Sequence, residues 1–296
     1  MSGRSGNGSG NHNTNNAGAK NGNGKTNGNS NRSNQRPVAP LSAVFRTKLK
    51  QPQFYWFLGH TLCLYYYIQY MLSFREQSVK TNYRKIMLCI VISYGIVLHQ
   101  YVKSKQLTFQ WSNLKQQIRQ LDNLQYFTLS IALLTCSLLG GKTLTQTESS
   151  MVIYSLFHAL NYFKENVLPF IPMSSILKGS LSNKISYFIA NFNGSFFNAA
   201  VISELVTMCK VCLMLPIQLV SVLVSFNAKS LFTLLSIWAY AIFFKLRYNQ
   251  SEQMRLLCNQ NQQVIENFIS TRFPMLMDKW LGIKHLAKVF FDRILA

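Results

Sequence analysis

The middle of the chain, from residue 54 to residue 244, carries long apolar stretches with few charged side chains. An α-helix needs about 20 apolar residues to cross the roughly 30 Å hydrocarbon core of a bilayer. Six segments approach this length: 54–74, 86–102, 124–141, 151–171, 199–226 and 228–244. Because helices satisfy their own backbone hydrogen bonds inside lipid, these segments predict an all-α, multi-pass membrane protein with four to six hydrophobic helices.

The number of complete spans stays open because two of the segments are weak. Segment 54–74 is rich in Tyr and Trp, which favour the membrane interface, so a shallow or tilted helix is expected there. Segment 151–171 is interrupted by Lys164 and Glu165, which shortens its apolar core.

The connections between the segments differ in kind. Residues 103–123 are polar, with apolar side chains at helical spacing, and predict an amphipathic helix on the surface. Residues 174–198 predict a polar loop with some helical character. Only Asn227 separates the last two segments, so we expect a tight helical hairpin that turns at this residue.

Residues 1–40 are dominated by Asn, Gly and Ser and predict a disordered tail, because too few apolar side chains are present to form a core. The chain has a formal net charge of +21, and the residues up to Lys50 contain basic side chains but no acidic one. Such a balance favours an anionic neighbour, and beside membrane spans the simplest neighbour is anionic lipid. No nucleic-acid recognition motif accompanies the charge, so direct binding of nucleic acid is not expected.

The positive-inside rule predicts that both termini face the cytosol, given an even number of spans. The basic loop 75–85 conflicts with this orientation, since it would then be lumenal; a shallow first hairpin would remove the conflict. The predicted organisation is therefore a tail (1–40), a helical membrane domain (41–248) and a cytosolic C-terminal region (249–296).

The last 23 residues, 274–296, predict an amphipathic helix that starts at a proline. Its apolar face suits insertion into a membrane interface, and its basic residues suit lipid headgroups. The predicted membrane-binding residues are Leu276, Trp280, Ile283, Ala287, Phe290, Phe291 and Ile294. The predicted headgroup-binding residues are Lys279, Lys284, Lys288 and Arg293. The alternative is a helix that packs on the protein's own bundle or on a partner.

No constellation of residues predicts catalysis, a cofactor or a metal site. The histidines lie in separate segments without ligand spacing, and the six cysteines show no disulfide or zinc pattern. Glu204 and Lys210 are ionisable residues within an apolar segment, and such residues are often functional in membranes. They leave open a second function, that of a transporter or channel subunit.

Three short motifs resemble the transmembrane protein 33 family, in particular its fungal pore and endoplasmic-reticulum branch. They are the segment SLFHALNYFK at 155–164, which contains His158; Ser203 and Glu204 followed by an apolar run to Pro216; and the sequence Leu246, Arg247 and Tyr248 directly after the last apolar segment. The order and spacing of these motifs agree with the family over roughly residues 45–290.

The resemblance implies a protein of the endoplasmic reticulum and nuclear envelope that associates with reticulon-type membrane proteins and nuclear pore components. It adds an importin as a further candidate partner. It also implies that the C-terminal amphipathic helix binds membrane. The main hypothesis is therefore a non-enzymatic protein that organises membrane, and a scaffold that docks its C-terminal helix on a protein partner is a third possibility.

Overall fold

The computed structural model describes residues 46–107 and 110–295, and the predicted tail at 1–40 lies outside them. The described residues are mostly helical and contain no strand. In chain order the α-helices are α1 (Pro52–Met71), α2 (Glu76–Lys103), α3 (Trp111–Gln120), α4 (Asp122–Leu138), α5 (Ser149–Tyr162), α6 (Ser175–Ser225), α7 (Ala228–Gln250), α8 (Glu252–Arg272) and α9 (Met277–Leu295). The predicted all-α class of membrane protein is confirmed.

Polar side chains directly before three of the helices fix where those helices begin. The Ser174 and Ser251 hydroxyls accept hydrogen bonds from backbone N–H groups in the first turns of α6 and α8. The Asn227 side chain does the same for α7. Such caps satisfy N–H groups that have no partner inside the helix, and each typically contributes about 1 kcal/mol.

The core lies where α1, α2, α4, α5 and α7 meet, and it is built from large side chains with almost no exposed surface. The innermost apolar residues include Ile86, Met87, Ile90, Leu133, Met151 and Tyr240. Gly59 lets α1 approach α2 closely, because a Cβ atom there would overlap the Ser93 hydroxyl.

Three helices in the described part of the chain are long and apolar enough to cross a membrane: α2, α6 and α7. Two other predicted spans are shorter, since α4 has 17 residues and α5 has 14. The predicted hairpin is present, because α6 and α7 are joined by Phe226 and Asn227 alone.

The predicted polar loop at 174–198 is wrong. These residues belong to α6, which runs unbroken for 51 residues, or about 75 Å at 1.5 Å per residue. Phe188, Phe192 and Phe196 recur every four residues and therefore share one face of the helix, and Phe157 of α5 contacts the first and last of them. This aromatic packing outweighs the polar composition that favoured a loop.

Candidate functional site

Glu204 and Arg247 form a buried ion pair between α6 and α7. Their side chains are 1% and 3% exposed, and Arg247 Nε lies 3.4 Å from Glu204 Oε2. Arg247 Nη1 also lies 3.3 Å from Asp122 Oδ1, at the first residue of α4. One guanidinium group therefore holds carboxylates from two other helices.

Two tyrosines complete the hydrogen bonding of Glu204. The Tyr126 hydroxyl donates to Glu204 Oε1 at 2.5 Å, and the Arg247 guanidinium lies 5.3 Å from the centre of the Tyr126 ring. The Tyr240 hydroxyl donates to the Glu204 backbone oxygen at 3.0 Å. Because a buried charge is costly unless it is fully paired, this cluster joins α4, α6 and α7 in one arrangement.

The four residues of the family resemblance fall in three places. Glu204 and Arg247 are paired, which the motifs alone did not predict. His158 lies in an aromatic cluster on α1 and α5, with ring centres 5.0 Å from His60 and 5.1 Å from Trp56. Tyr248 lies at the end of α7, where the Lys245 ammonium is 5.7 Å from the centre of its ring.

Lys210 does not pair with Glu204. Its ammonium donates to the Thr145 hydroxyl at 2.5 Å and to the Thr145 carbonyl at 3.1 Å, in the loop between α4 and α5. The two residues on which the transporter alternative depends therefore have separate partners on separate faces of α6.

Glu148 is a buried acid that the sequence analysis missed. It precedes α5 and is 1% exposed, and among the described residues its Oε2 atom has no hydrogen-bond partner. Burial raises the pKa of the Glu148 carboxyl, which opposes ionisation. A single acid in a short loop gives no sequence signal that distinguishes a buried position from an exposed one.

The C-terminal arm consists of α8 and α9, which are separated by the short turn Pro274–Leu276. Glu266 of α8 holds the two helices together, because its Oε1 atom accepts from Lys284 Nζ at 2.7 Å and from Trp280 Nε1 at 3.4 Å. The Lys284 ammonium lowers the pKa of the Glu266 carboxyl. Trp280 and Lys284, predicted to contact lipid, thus share a protein partner.

The other end of α9 lies against α6 and α7. The Phe290 ring is 5.4 Å from the Trp238 ring, and Lys245 Nζ is 3.1 Å from Asp292 Oδ1. A cavity of about 520 Å³ separates the three helices, and almost all of its lining is apolar. Its lining residues are Met208, Val211, Cys212, Leu215, Ile237, Trp238, Ala241, Ile283, Leu286, Ala287 and Phe290. We call it the α9 groove.

The predicted membrane face of α9 is therefore divided between different surroundings. Ile283, Ala287 and Phe290 face the α9 groove, Leu276 is exposed, and the side chains of Phe291 and Ile294 lie outside the described part of the chain. Lys279, Lys288 and Arg293 are exposed. Leu286, which also lines the α9 groove, and Leu281 and Val289 are exposed as well, and the sequence analysis did not single them out.

The fold and these contacts define a class: a multi-pass helical membrane protein whose helices are joined by a buried polar cluster and which carries a C-terminal arm of two helices. Comparison with known proteins then gives the family. The chain belongs to the family described as Transmembrane protein 33/Nucleoporin POM33, whose model matches residues 36–285. The resemblance noted in the sequence is confirmed.

Curated relatives match over most of their length. The "Pore and endoplasmic reticulum protein of 33 kDa" of Saccharomyces cerevisiae is 38% identical, over 88% of this chain and 97% of that protein. "Nucleoporin POM33" of Chaetomium thermophilum is 24% identical over 85% of this chain and 90% of that protein. "Tetra-spanning protein 1" of Schizosaccharomyces pombe is 26% identical over 86% and 90%. No solved structure matches the chain significantly.

Proposed function

We propose that this chain is a non-enzymatic protein of the endoplasmic reticulum and nuclear envelope that organises membrane. On this proposal it contributes to the distribution or assembly of nuclear pores and to tubular reticulum structure. The names of its relatives, which refer to pores and to the endoplasmic reticulum, support this location. Reticulon-type proteins, nuclear pore components and an importin are the proposed partners, and both termini are proposed to face the cytosol.

The observation that carries the mechanism is the exposure of apolar side chains on α9. None of its described side chains is buried, and Ile283 and Leu286 are 62% and 69% exposed. Leaving apolar surface in water costs about 25 cal/mol per Å², so a helix of this kind gains from moving into a membrane interface. Exposed Lys279, Lys288 and Arg293 add attraction to anionic headgroups.

The α9 groove and the membrane compete for the same residues. Trp238, which contacts Phe290, is near the middle of α7, about 15–18 Å along the axis from either end. If α7 spans the bilayer, the part of a docked α9 beside Trp238 lies at hydrocarbon depth, where the charge of Lys288 is costly. We therefore propose that α9 leaves the groove in the bilayer and lies at the interface.

The test measures binding of the segment 273–296 to liposomes, with circular dichroism to follow helix formation. We expect the peptide to become helical on anionic vesicles and to prefer small, highly curved ones. The double substitution Trp280→Asp and Phe290→Asp should abolish binding, because each charge falls on the inserted face. A matched control, Gly282→Asp with His285→Asp, adds the same charge at positions outside the predicted membrane face.

Loss of binding in the first variant and retention of most of it in the control would support the interfacial helix. Equal binding by both variants would mean that charge alone attracts the peptide, and the insertion mechanism would be wrong. Failure of the unmodified peptide to bind any vesicle would make α9 a protein-docking element.

A further inference from the structure

A second cavity, of about 430 Å³, opens at the end of the bundle opposite to the Arg247–Asp122 pair. It lies where α2 and α7 begin and where α4 ends. Its lining residues are Glu76, Val79, Lys80, Gly140, Gly141, Lys142, Thr143 and Lys229. We call it the lysine cavity. Neither the family comparison nor the amphipathic-helix proposal assigns it a role.

The loop that supplies Lys142 is held in a fixed position. Gly140 has a φ of +99°, which side chains other than glycine rarely adopt. A Cβ atom on Gly141 would lie 2.9 Å from the Cys136 carbonyl oxygen, so only glycine allows this close packing. The Lys142 N–H donates to the buried Thr233 hydroxyl at 2.9 Å. The backbone at the cavity wall is therefore preformed.

The lysine cavity carries an excess of positive charge. Lys80, Lys142 and Lys229 come from three separate elements, and Glu76 is the single acid in the lining, which leaves a formal charge of +2. None of the five ion pairs found among the described residues involves these lysines. The first turns of α2 and α7 add partial positive charge from N–H groups without intrahelical partners.

Two very exposed aromatic side chains are close in sequence to residues that line the lysine cavity. Phe74 is 99% exposed and precedes α2, and Phe226 is 90% exposed and precedes α7. Leu223 and Val224 beside Phe226 are more than 80% exposed. Apolar side chains this exposed, next to unpaired lysines, are typical of a surface at the boundary between hydrocarbon and headgroups.

We propose that the lysine cavity binds the phosphate of an anionic phospholipid headgroup, while the exposed aromatic side chains contact the acyl region. The same site gives a physical reason for the basic segment 75–85, which conflicts with the positive-inside rule; the predicted loop is wrong there, because residues 76–85 form the start of α2. Lys80 faces the cavity, Arg84 donates to the Ser137 hydroxyl at 3.0 Å, and Lys85 lies 5.0 Å from the Tyr66 ring centre. Each of these three charges therefore interacts with a nearby group or with the proposed lipid phosphate, whichever way the chain is oriented in the membrane.

The test uses the purified full-length protein in detergent and measures bound phosphatidic acid by native mass spectrometry. Phosphatidylcholine is the comparison lipid, and inorganic phosphate is the soluble anion. The variant Lys80→Gln, Lys142→Gln and Lys229→Gln should bind phosphatidic acid about tenfold more weakly, because it loses three attractive charges. The matched control Lys103→Gln, Lys105→Gln and Lys184→Gln removes the same charge elsewhere and should bind as the unmodified chain does.

Equal weakening by both triple variants would overturn the proposal, because overall charge would then account for binding. Binding of inorganic phosphate without any preference for phosphatidic acid would also overturn the lipid assignment and leave a soluble anion as the ligand. A second variant guards against loss of folding: Glu76→Gln removes the one acid and should strengthen binding two- to threefold. An unchanged or weaker affinity in Glu76→Gln would contradict the proposal.

Discussion

The pair of Glu204 and Arg247 is the residue-scale feature on which the packing of α6 and α7 depends. The motifs of the sequence included both residues, but they were 43 positions apart and their pairing was not predicted. The sequence nevertheless contains a signal for this pairing. In a hairpin that turns at Asn227, Glu204 is 23 residues before the turn and Arg247 is 20 after it, so the two lie at nearly the same level. Glu148 offers no such signal, because nothing in a loop's composition reports burial.

Substituting Arg247 by Ala should destabilise the protein by about 3–5 kcal/mol, because it leaves the buried Glu204 carboxylate without its charge partner. Thermal unfolding of the purified protein in detergent measures the effect. The matched control is Arg272→Ala at the exposed end of α8, which should change stability little. Adding Glu204→Gln to Arg247→Ala should recover part of the loss. Equal melting temperatures for the two single variants would contradict a structural role for the pair.

At the scale of elements, the apolar helices could be predicted from the length of the apolar segments, whereas two other features of the helices could not be predicted. The continuity of α6 through residues 174–198 depends on Phe157, a residue of another helix, and the local composition does not report it. The α8–α9 interlock, by which we mean the contact of Glu266 with Trp280 and Lys284, depends on a residue that looks like an ordinary surface acid in the sequence. Both cases involve a tertiary contact that outweighs local preference.

The α8–α9 interlock should weaken in acid. Lys284 lowers the folded-state pKa of Glu266, so the contact is stabilising above the ordinary Glu pKa of about 4.5 and is lost as the pH falls through the lowered value. Hydrogen exchange of α9, corrected for the intrinsic effect of pH, should be slow at pH 7 and become faster once the pH falls below the lowered pKa of Glu266. Glu266→Gln should exchange fast in both pH ranges, and Glu252→Gln, which removes an acid of α8 outside this contact, serves as the control and should behave as the unmodified chain does. Slow exchange in Glu266→Gln would show that the groove contacts alone hold α9.

At the scale of the whole molecule, two opposite ends of the bundle carry different chemistry. One end has the lysine cavity and its exposed aromatic side chains, and the other has the Arg247–Asp122 pair, from which α8 and α9 continue. The sequence predicts an amphipathic helix at 274–296, and α9 occupies Met277–Leu295, but periodicity cannot decide whether an apolar face meets lipid or protein. That choice depends on the free energy of two competing surroundings, the α9 groove and the bilayer.

The occupancy of the groove should therefore change between detergent and bilayer. Cys212 of α6 and Ala287 of α9 both line the groove, so an Ala287→Cys variant treated with a short bismaleimide should cross-link α9 to α6 in detergent. In liposomes that contain anionic lipid, we expect the cross-linked fraction to fall severalfold, because Ile283 and Phe290 exchange the groove for the interface. Adding Cys212→Ser should remove the cross-link, and Lys288→Cys, which lies outside the groove, should form little in either medium. An equally high yield in detergent and liposomes would mean that α9 stays docked in the membrane and that its apolar face serves the protein's own bundle.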